Sequence, residues 1–290
     1  MAEAKRIVVN IDAAGPRLHE ATAPLLYADD LAALRGDGIF ETLLLRAGYV
    51  RNQQPHFERF LRSAVQLDLP SPDQEVWEEA TKLAAAEFQA QVGEVDAAVR
   101  WNYSRGRENT GQTTAWISVT ALPATYIQDR EQGIRVLSGP RGFRRDIGQR
   151  APWALAGAKT LSYAVNMAAL RYAKDHDADD MIFLDDANYV LEGPTSTVVV
   201  VRGNTLLTPP PSAGILHGTT QLKLFEAATA AGWEIAEADL QLADLFEHEG
   251  LYLLSSGRLA TWVRNLDGTN FARPSRDAEI QQLCAKAIAE

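Results

Sequence analysis

Of the six lysines in the chain, Lys159 has the surroundings least like those of a solvated surface amine, in Ala156-Gly157-Ala158-Lys159-Thr160-Leu161-Ser162-Tyr163. Small residues before it and an apolar, helix-compatible run after it bring the amine into a confined, partly dry space. Desolvation there lowers its pKa and leaves it nucleophilic. That is the setting of a Schiff-base lysine, although a structural lysine at a helix start has the same local sequence. A second segment, Tyr189-Val190-Leu191-Glu192-Gly193-Pro194-Thr195-Ser196-Thr197, places the lone carboxylate of Glu192 between apolar strands. A buried amine that binds an aldehyde, with a carboxylate that keeps a pyridinium nitrogen protonated, is what pyridoxal phosphate chemistry requires.

These groups need elements to hold them. Arg6 to Asp12 reads as a strand, and Leu43 to Val50 as a hairpin turning at Ala47-Gly48. Helical periodicity runs from His56 to Leu67 and, after Pro70 and Pro72, from Asp73 to about Val92. Strands at Ala98–Ser104 and Ala115–Leu122 complete a first α+β unit, and the polar, turn-like stretch from Pro123 to Gln132 marks a boundary. The second half opens with a strand at Ile134–Leu137 and a loop rich in Gly and Arg. A helix from about Thr160 to Asp175 is followed by strands near Met181–Leu184, Thr197–Val201 and Thr205–Leu207. A helix from Thr219 to Ala231, strands at Leu251–Leu254 and Thr261–Asn265, and a helix from about Arg276 to Ala289 end the chain. The expected division is a small domain over 1–125, a linker over 126–132 and a large domain over 133–290.

With 290 residues and 46% hydrophobic content, the chain can bury two modest cores. A net charge of −10 argues against a nucleic-acid partner, which needs a concentrated basic surface. The cluster Arg141, Arg144, Arg145 and Arg150 reads as a solvated loop, where an anionic substrate entering nearby would also benefit. Cys284 is the single cysteine, so no intrachain disulfide can form, and a reducing, cytoplasmic location is expected. No apolar run approaches membrane-spanning length, so no membrane partner is expected. The five histidines lack metal-ligand spacing, and no metal is expected.

Four further motifs bear on the site. They are Gly36-Asp37-Gly38-Ile39-Phe40-Glu41, His56-Phe57-Glu58-Arg59-Phe60, Leu216-His217-Gly218-Thr219-Thr220-Gln221 and Leu254-Ser255-Ser256-Gly257-Arg258-Leu259. Taken singly, Arg59 is one arginine on an amphipathic helix, Gly218-Thr219-Thr220 is a common helix start, and Tyr163 is a core aromatic. Together and in this order, over nearly the whole chain, they resemble the fold-type IV pyridoxal-phosphate enzymes: branched-chain aminotransferases, D-amino-acid aminotransferases and aminodeoxychorismate lyases.

The resemblance implies a two-domain α+β fold, with a small α/β domain and a larger domain carrying a barrel-like sheet. It implies pyridoxal 5'-phosphate as cofactor and a homodimer. Lys159 matches the family's Schiff-base lysine, Tyr163 the tyrosine near the cofactor's phenolic oxygen, and Glu192 the partner of the pyridine nitrogen. Arg59 looks like the phosphate-binding arginine, whose planar fork suits phosphate oxygens. Thr219 and Thr220 open a helix whose N–H groups favour an anion. Ser256 and Gly257 match the cofactor-lining loop, which departs from the branched-chain pattern by carrying Arg258.

After Phe40-Glu41 the chain continues with Thr42, where branched-chain enzymes carry glycine. A threonine there resembles aminodeoxychorismate lyase, in which it helps protonate the departing enolpyruvate. Strand alternation turns Thr42 to the face of Phe40 and away from Glu41. Phe40, Arg100, Arg105, Arg107 and Arg258 are candidate contacts for an anionic small-molecule substrate bearing two carboxylates. The lyase reaction converts 4-amino-4-deoxychorismate into 4-aminobenzoate and pyruvate, in folate synthesis, with Lys159 as base and Thr42 or Lys159 as proton donor. A D-amino-acid or branched-chain aminotransferase, a dual lyase and transaminase, and an inactive cofactor-binding module are the alternatives. The arginine–histidine pair of D-amino-acid aminotransferases has no clear counterpart after Arg105.

Overall fold

The computed structural model describes residues 5–289. Its internal contacts divide them into two units: residues through Pro123 with Ala158–Tyr163, and Ala124–Gly157 with the chain from Ala164 onward.

The first unit contains β1 (Arg6–Asp12), β2 (Gly15–His19), α1 (Leu31–Arg35), β3 (Gly38–Arg46), β4 (Tyr49–Val50), α2 (Gln53–Gln66), α3 (Gln74–Val92), β5 (Ala97–Ser104) and β6 (Thr114–Ala121). Its strands form one antiparallel sheet in the order β2-β1-β6-β5-β3-β4. Successive strand residues point to opposite faces, so one face gathers the apolar set. Ile39, Leu43, Val99, Trp101, Ile117 and Val119 are buried there, while Thr42, Trp116 and Ser118 are half-buried and Arg100 is exposed on the other. Phe60 of α2 packs edge-on to Trp77 of α3 and Trp101 of β5, with centroids 4.9 and 5.7 Å away. The Trp101 indole donates to the Thr81 hydroxyl at 2.9 Å, which donates to the Trp77 carbonyl at 2.6 Å. Truncating a ring of this cluster to alanine costs about 3–5 kcal/mol. Asp73 starts α3 by accepting the Glu75 and Val76 amides.

The second unit contains α4 (Thr125–Gln132), β7 (Ile134–Pro140), α5 (Ile147–Arg150), α6 (Ala164–Asp175), β8 (Asp180–Leu184), β9 (Thr197–Arg202), β10 (Thr205–Thr208), α7 (Thr219–Ala230), β11 (Glu234–Glu237), β12 (Gly250–Ser255), β13 (Leu259–Leu266), β14 (Thr269–Asn270) and α8 (Asp277–Ala289). Its sheet runs β11-β10-β9-β12-β13-β7-β8, with β14 on β13. Pairs β10/β11, β13/β7 and β7/β8 are parallel, and the others antiparallel. The sheet curls around Val136, Ile182, Val198, Val200, Leu251, Leu253 and Val263. Helices α7 and α8 lie on β12 and β13. Strands covered on both sides read as continuous apolar runs, as Val198–Val201 does. Among the described residues no helix is long and apolar enough to cross a membrane.

Several elements differ from the sequence expectation. Residues 126–132, expected as a linker, form most of α4, a polar helix with no buried residue that groups with the second unit. It stops at Gly133, where a φ of 71° and a Trp262 ring 2.5 Å from any added Cβ both demand glycine. The helix expected from Thr160 begins at Ala164. The strands at 15–19 and 234–237 and the short α1 were not anticipated.

Candidate active site

The delay of α6 positions Lys159. Lys159–Leu161 pairs with the start of β3: the Phe40 amide donates to the Lys159 carbonyl at 3.0 Å, and the Leu161 amide to the Gly38 carbonyl at 2.8 Å. Gly38 permits this approach, because a Cβ there would lie 2.5 Å from the Tyr103 carbonyl and 2.8 Å from the Leu161 side chain. The Lys159 amide donates to the Ser63 hydroxyl of α2 at 3.1 Å. The lysine's Nζ stands 4.6 Å from the Phe40 ring centroid and 5.6 Å from that of Tyr163. The two rings meet edge-on at 5.1 Å. Ring faces attract the cationic amine, so three candidates chosen from the sequence meet at one point. Thr42 lies two residues beyond Phe40 on the same face of β3, paired with Arg100.

Glu41, between them, points into the apolar face and is fully buried. Arg59 Nε and Nη2 donate to its Oε1 and Oε2 at 2.7 and 2.6 Å, and His56 Nδ1 lies 2.7 Å from Oε2. Burial raises the Glu41 pKa, but the Arg59 guanidinium and then His56 outweigh it and hold the carboxyl well below the usual range. Burial lowers the His56 pKa, Glu41 opposes this, and the charges of Arg59 and Lys159 add to the lowering. The imidazole is therefore neutral near neutral pH, and because a carboxylate only accepts, Nδ1 carries the proton. Glu41, His56 and Ser63 stood in or near quoted motifs, yet nothing local revealed that they support Arg59 and Lys159.

In the second unit Glu192 bonds the segment that leads into α7, and Thr197 lies between Gly218 at the start of α7 and Leu254 near the end of β12. The Leu216 amide donates to Glu192 Oε2 at 3.0 Å. Two residues on, Gly218 is the N-cap of α7 and, having no side chain, makes no side-chain cap bond. A Cβ on Gly218 would lie 2.3 Å from Thr197 Oγ1, and Thr197 pairs with Leu254 beside the turn. Thr219 and Thr220 are buried. A helix N-terminus without a side-chain cap offers N–H donors to an anion. Among the described residues the buried Ser196 hydroxyl, which sequence reading passed over, has no hydrogen-bond partner. An oxygen-rich anion matches this donor set, so the residues present fit a phosphate group.

Three of the arginines expected to meet substrate are engaged by protein groups. Arg105 bonds Asp37 at 2.7 Å and the Asp68 carbonyl at 3.2 Å. Arg107 bonds Asp29 at 2.8 Å and covers the Tyr27 ring at 4.2 Å. Arg258 is buried and paired with Asp180. Arg100 is exposed beside Thr42. Among the described residues, no group of three or more His, Cys, Asp or Glu side chains is placed to hold a metal.

The fold is that of a fold-type IV pyridoxal-phosphate enzyme. The class IV amino-transferase family matches residues 38–266, and the chain belongs to it. It is 47% identical over 272 residues, covering 91% of this chain and 94% of the relative, to a bifunctional aminodeoxychorismate lyase / D-amino acid transaminase of Mycobacterium tuberculosis. A hypothetical aminotransferase from Mycobacterium tuberculosis, solved with α-ketoglutarate and PMP bound, superposes with a TM-score of 0.94. The two are 44% identical, and the match covers 97% and 98% of the two chains. The fold IV transaminase CpuTA1 of Curtobacterium pusillum gives a TM-score of 0.91 at 35% identity, over 97% and 98%.

Proposed function

We propose that this chain is an aminodeoxychorismate lyase, converting 4-amino-4-deoxychorismate into 4-aminobenzoate and pyruvate for folate synthesis, and that it also transaminates D-amino acids. The observation that carries the reading is the shared face of Phe40 and Thr42 on β3, with the Lys159 amine 4.6 Å from the Phe40 ring. A hydroxyl and an amine then stand within two residues of strand. The 47% identity to a bifunctional relative supports both activities.

Bound pyridoxal phosphate supplies an electron sink for the pair left when a C–H bond beside the substrate nitrogen breaks. In this reading Lys159 removes that proton from the amine-bearing carbon, and the Thr42 hydroxyl passes a proton to the departing enolpyruvate as the one taken up by Lys159 replaces it. Glu192 keeps a proton on the cofactor's ring nitrogen, and Tyr163 donates toward its phenolic oxygen. The α7 N–H groups, Thr219, Thr220, Ser256 and Gly257 hold the phosphate, together with Arg59, which Glu41 and His56 orient. Arg100 is the arginine retained for a substrate carboxylate. In this reading Arg105, Arg107 and Arg258 serve the structure through Asp37, Asp29 and Asp180. The enzyme is read as a cytoplasmic homodimer, which sedimentation equilibrium checks.

The test is a product assay with aminodeoxychorismate, read against D-alanine with 2-oxoglutarate. Release of 4-aminobenzoate and formation of pyruvate in both assays is expected. D-Alanine turnover without 4-aminobenzoate would leave a transaminase, and a bound chromophore with neither activity would leave a binding module.

A further inference from the structure

The turn between β12 and β13 is supported by charged groups that the proposed chemistry does not use. Ser256, Gly257 and Arg258 join Ser255 to Leu259, which face each other across the hairpin. Leu259 takes a φ of 56°, unfavourable for a residue with a Cβ and maintained only where the surroundings fix the chain.

Those surroundings are specific. The buried Arg258 guanidinium pairs with the buried Asp180 carboxylate at the start of β8. The other Asp180 oxygen accepts the Met181 amide at 2.8 Å. The Arg258 amide donates to the Ser255 hydroxyl at 3.3 Å, and its carbonyl accepts from the Thr261 hydroxyl at 3.2 Å. From α4, Arg130 donates to the Gly257 carbonyl at 3.4 Å, and Asp129 adds negative charge near Arg258. A buried ion pair is a poor source of net stability, because lost hydration offsets the attraction. It does define where the joined segments lie.

We propose that the Asp180–Arg258 pair is a positioning device for this turn, setting the Ser256 hydroxyl and the Gly257 backbone in the arrangement that receives the cofactor's phosphate. The inference rests on the reading that the turn lines the phosphate. Arg258 acts through the turn and does not itself touch the cofactor.

The experiment titrates apoenzyme with pyridoxal phosphate and with pyridoxal, which lacks the phosphate, following intrinsic fluorescence. The proteins are wild type, Asp180→Asn and the double variant Asp180→Leu/Arg258→Met. The double variant removes both charges together, a change that buried pairs commonly tolerate, so it serves if the single variant does not fold. Near-UV circular dichroism monitors packing. Wild type should hold pyridoxal phosphate more tightly than pyridoxal. The variants should narrow that margin about tenfold or more, by weakening pyridoxal phosphate alone. An unchanged margin, or equal weakening of both ligands, overturns the positioning role while leaving the phosphate reading intact. Equal affinity of wild type for both ligands removes the phosphate reading, and the positioning role with it.

Discussion

In the first unit polar chemistry rests on side chains set into or beside an apolar sheet face, as with Glu41, His56, Arg59 and Lys159. In the second the proposed phosphate site rests largely on main chain at the ends of elements, at the start of α7 and the β12–β13 turn. The two solutions differ in cost. A charge in a sheet core must be matched by an opposite charge and by hydrogen bonds, so Glu41 recruits the Arg59 guanidinium and the His56 N–H. A helix end offers its donors without burying a formal charge, and asks only for glycine where the chain must come close, as Gly218 does to Thr197. Side-chain positions in the first unit should therefore be intolerant of substitution, whereas single hydroxyls in the second should matter modestly.

The largest expected effect is at Lys159. Lys159→Ala removes the amine read as base and as attachment point for the cofactor, so turnover should fall by about 10³-fold or more. The yellow chromophore should be lost after desalting. Near wild-type rates would break the reading of the whole first unit.

Glu41→Gln comes next and acts on stability. It leaves the buried Arg59 guanidinium without its counter-charge, which should cost about 3–5 kcal/mol in urea unfolding. The folded-state pKa lies below the ordinary 4.5, so the carboxylate's contribution is fully present above that value and is lost as pH falls through the folded value. Stability of wild type should drop on the acid side more steeply than that of Glu41→Gln. Parallel curves would mean that the network holds no net energy.

The same contrast explains how much could be read from the sequence. Period-2 alternation foretold that Thr42 shares the face of Phe40, and Asp73 marked the start of α3, because both signals are local. Lys159 stood out in the sequence as a candidate, but the course of its backbone did not. Helix propensity favoured a start at Thr160, and pairing of Lys159–Leu161 with β3, far away in sequence, overrode it. The partners of Arg105, Arg107 and Arg258 are likewise distant in the chain, so their ion pairs were not legible in the sequence. Helix α4 was missed because no apolar stripe marks it.

Thr42→Val tests whether the first unit's side-chain chemistry extends beyond the amine. Valine keeps the shape and strand preference and removes the proton. Release of 4-aminobenzoate should fall about a hundredfold, while D-alanine transamination, which has no departing enolpyruvate to protonate, should stay within about threefold by the same reasoning. Equal losses in both assays would make Thr42 a packing residue.

The smallest effect, and the sharpest check on the main-chain picture, is at Thr220. The residue is buried one position into α7, whose N-cap Gly218 lies against Thr197. If its hydroxyl bonds the phosphate, Thr220→Val removes one donor among several, and the backbone amides remain. One hydrogen bond to a charged group is worth about 1.5–3 kcal/mol. Sharing the phosphate with neighbouring amides puts the result at the low end, so the Kd for pyridoxal phosphate should rise about tenfold. Pyridoxal affinity should not move. If the hydroxyl only packs, removing a buried polar atom should leave both affinities unchanged and raise the melting temperature slightly. A hundredfold or larger loss would mean that the side chain, not the helix end, carries the anion, and the second unit would then work by the same principle as the first.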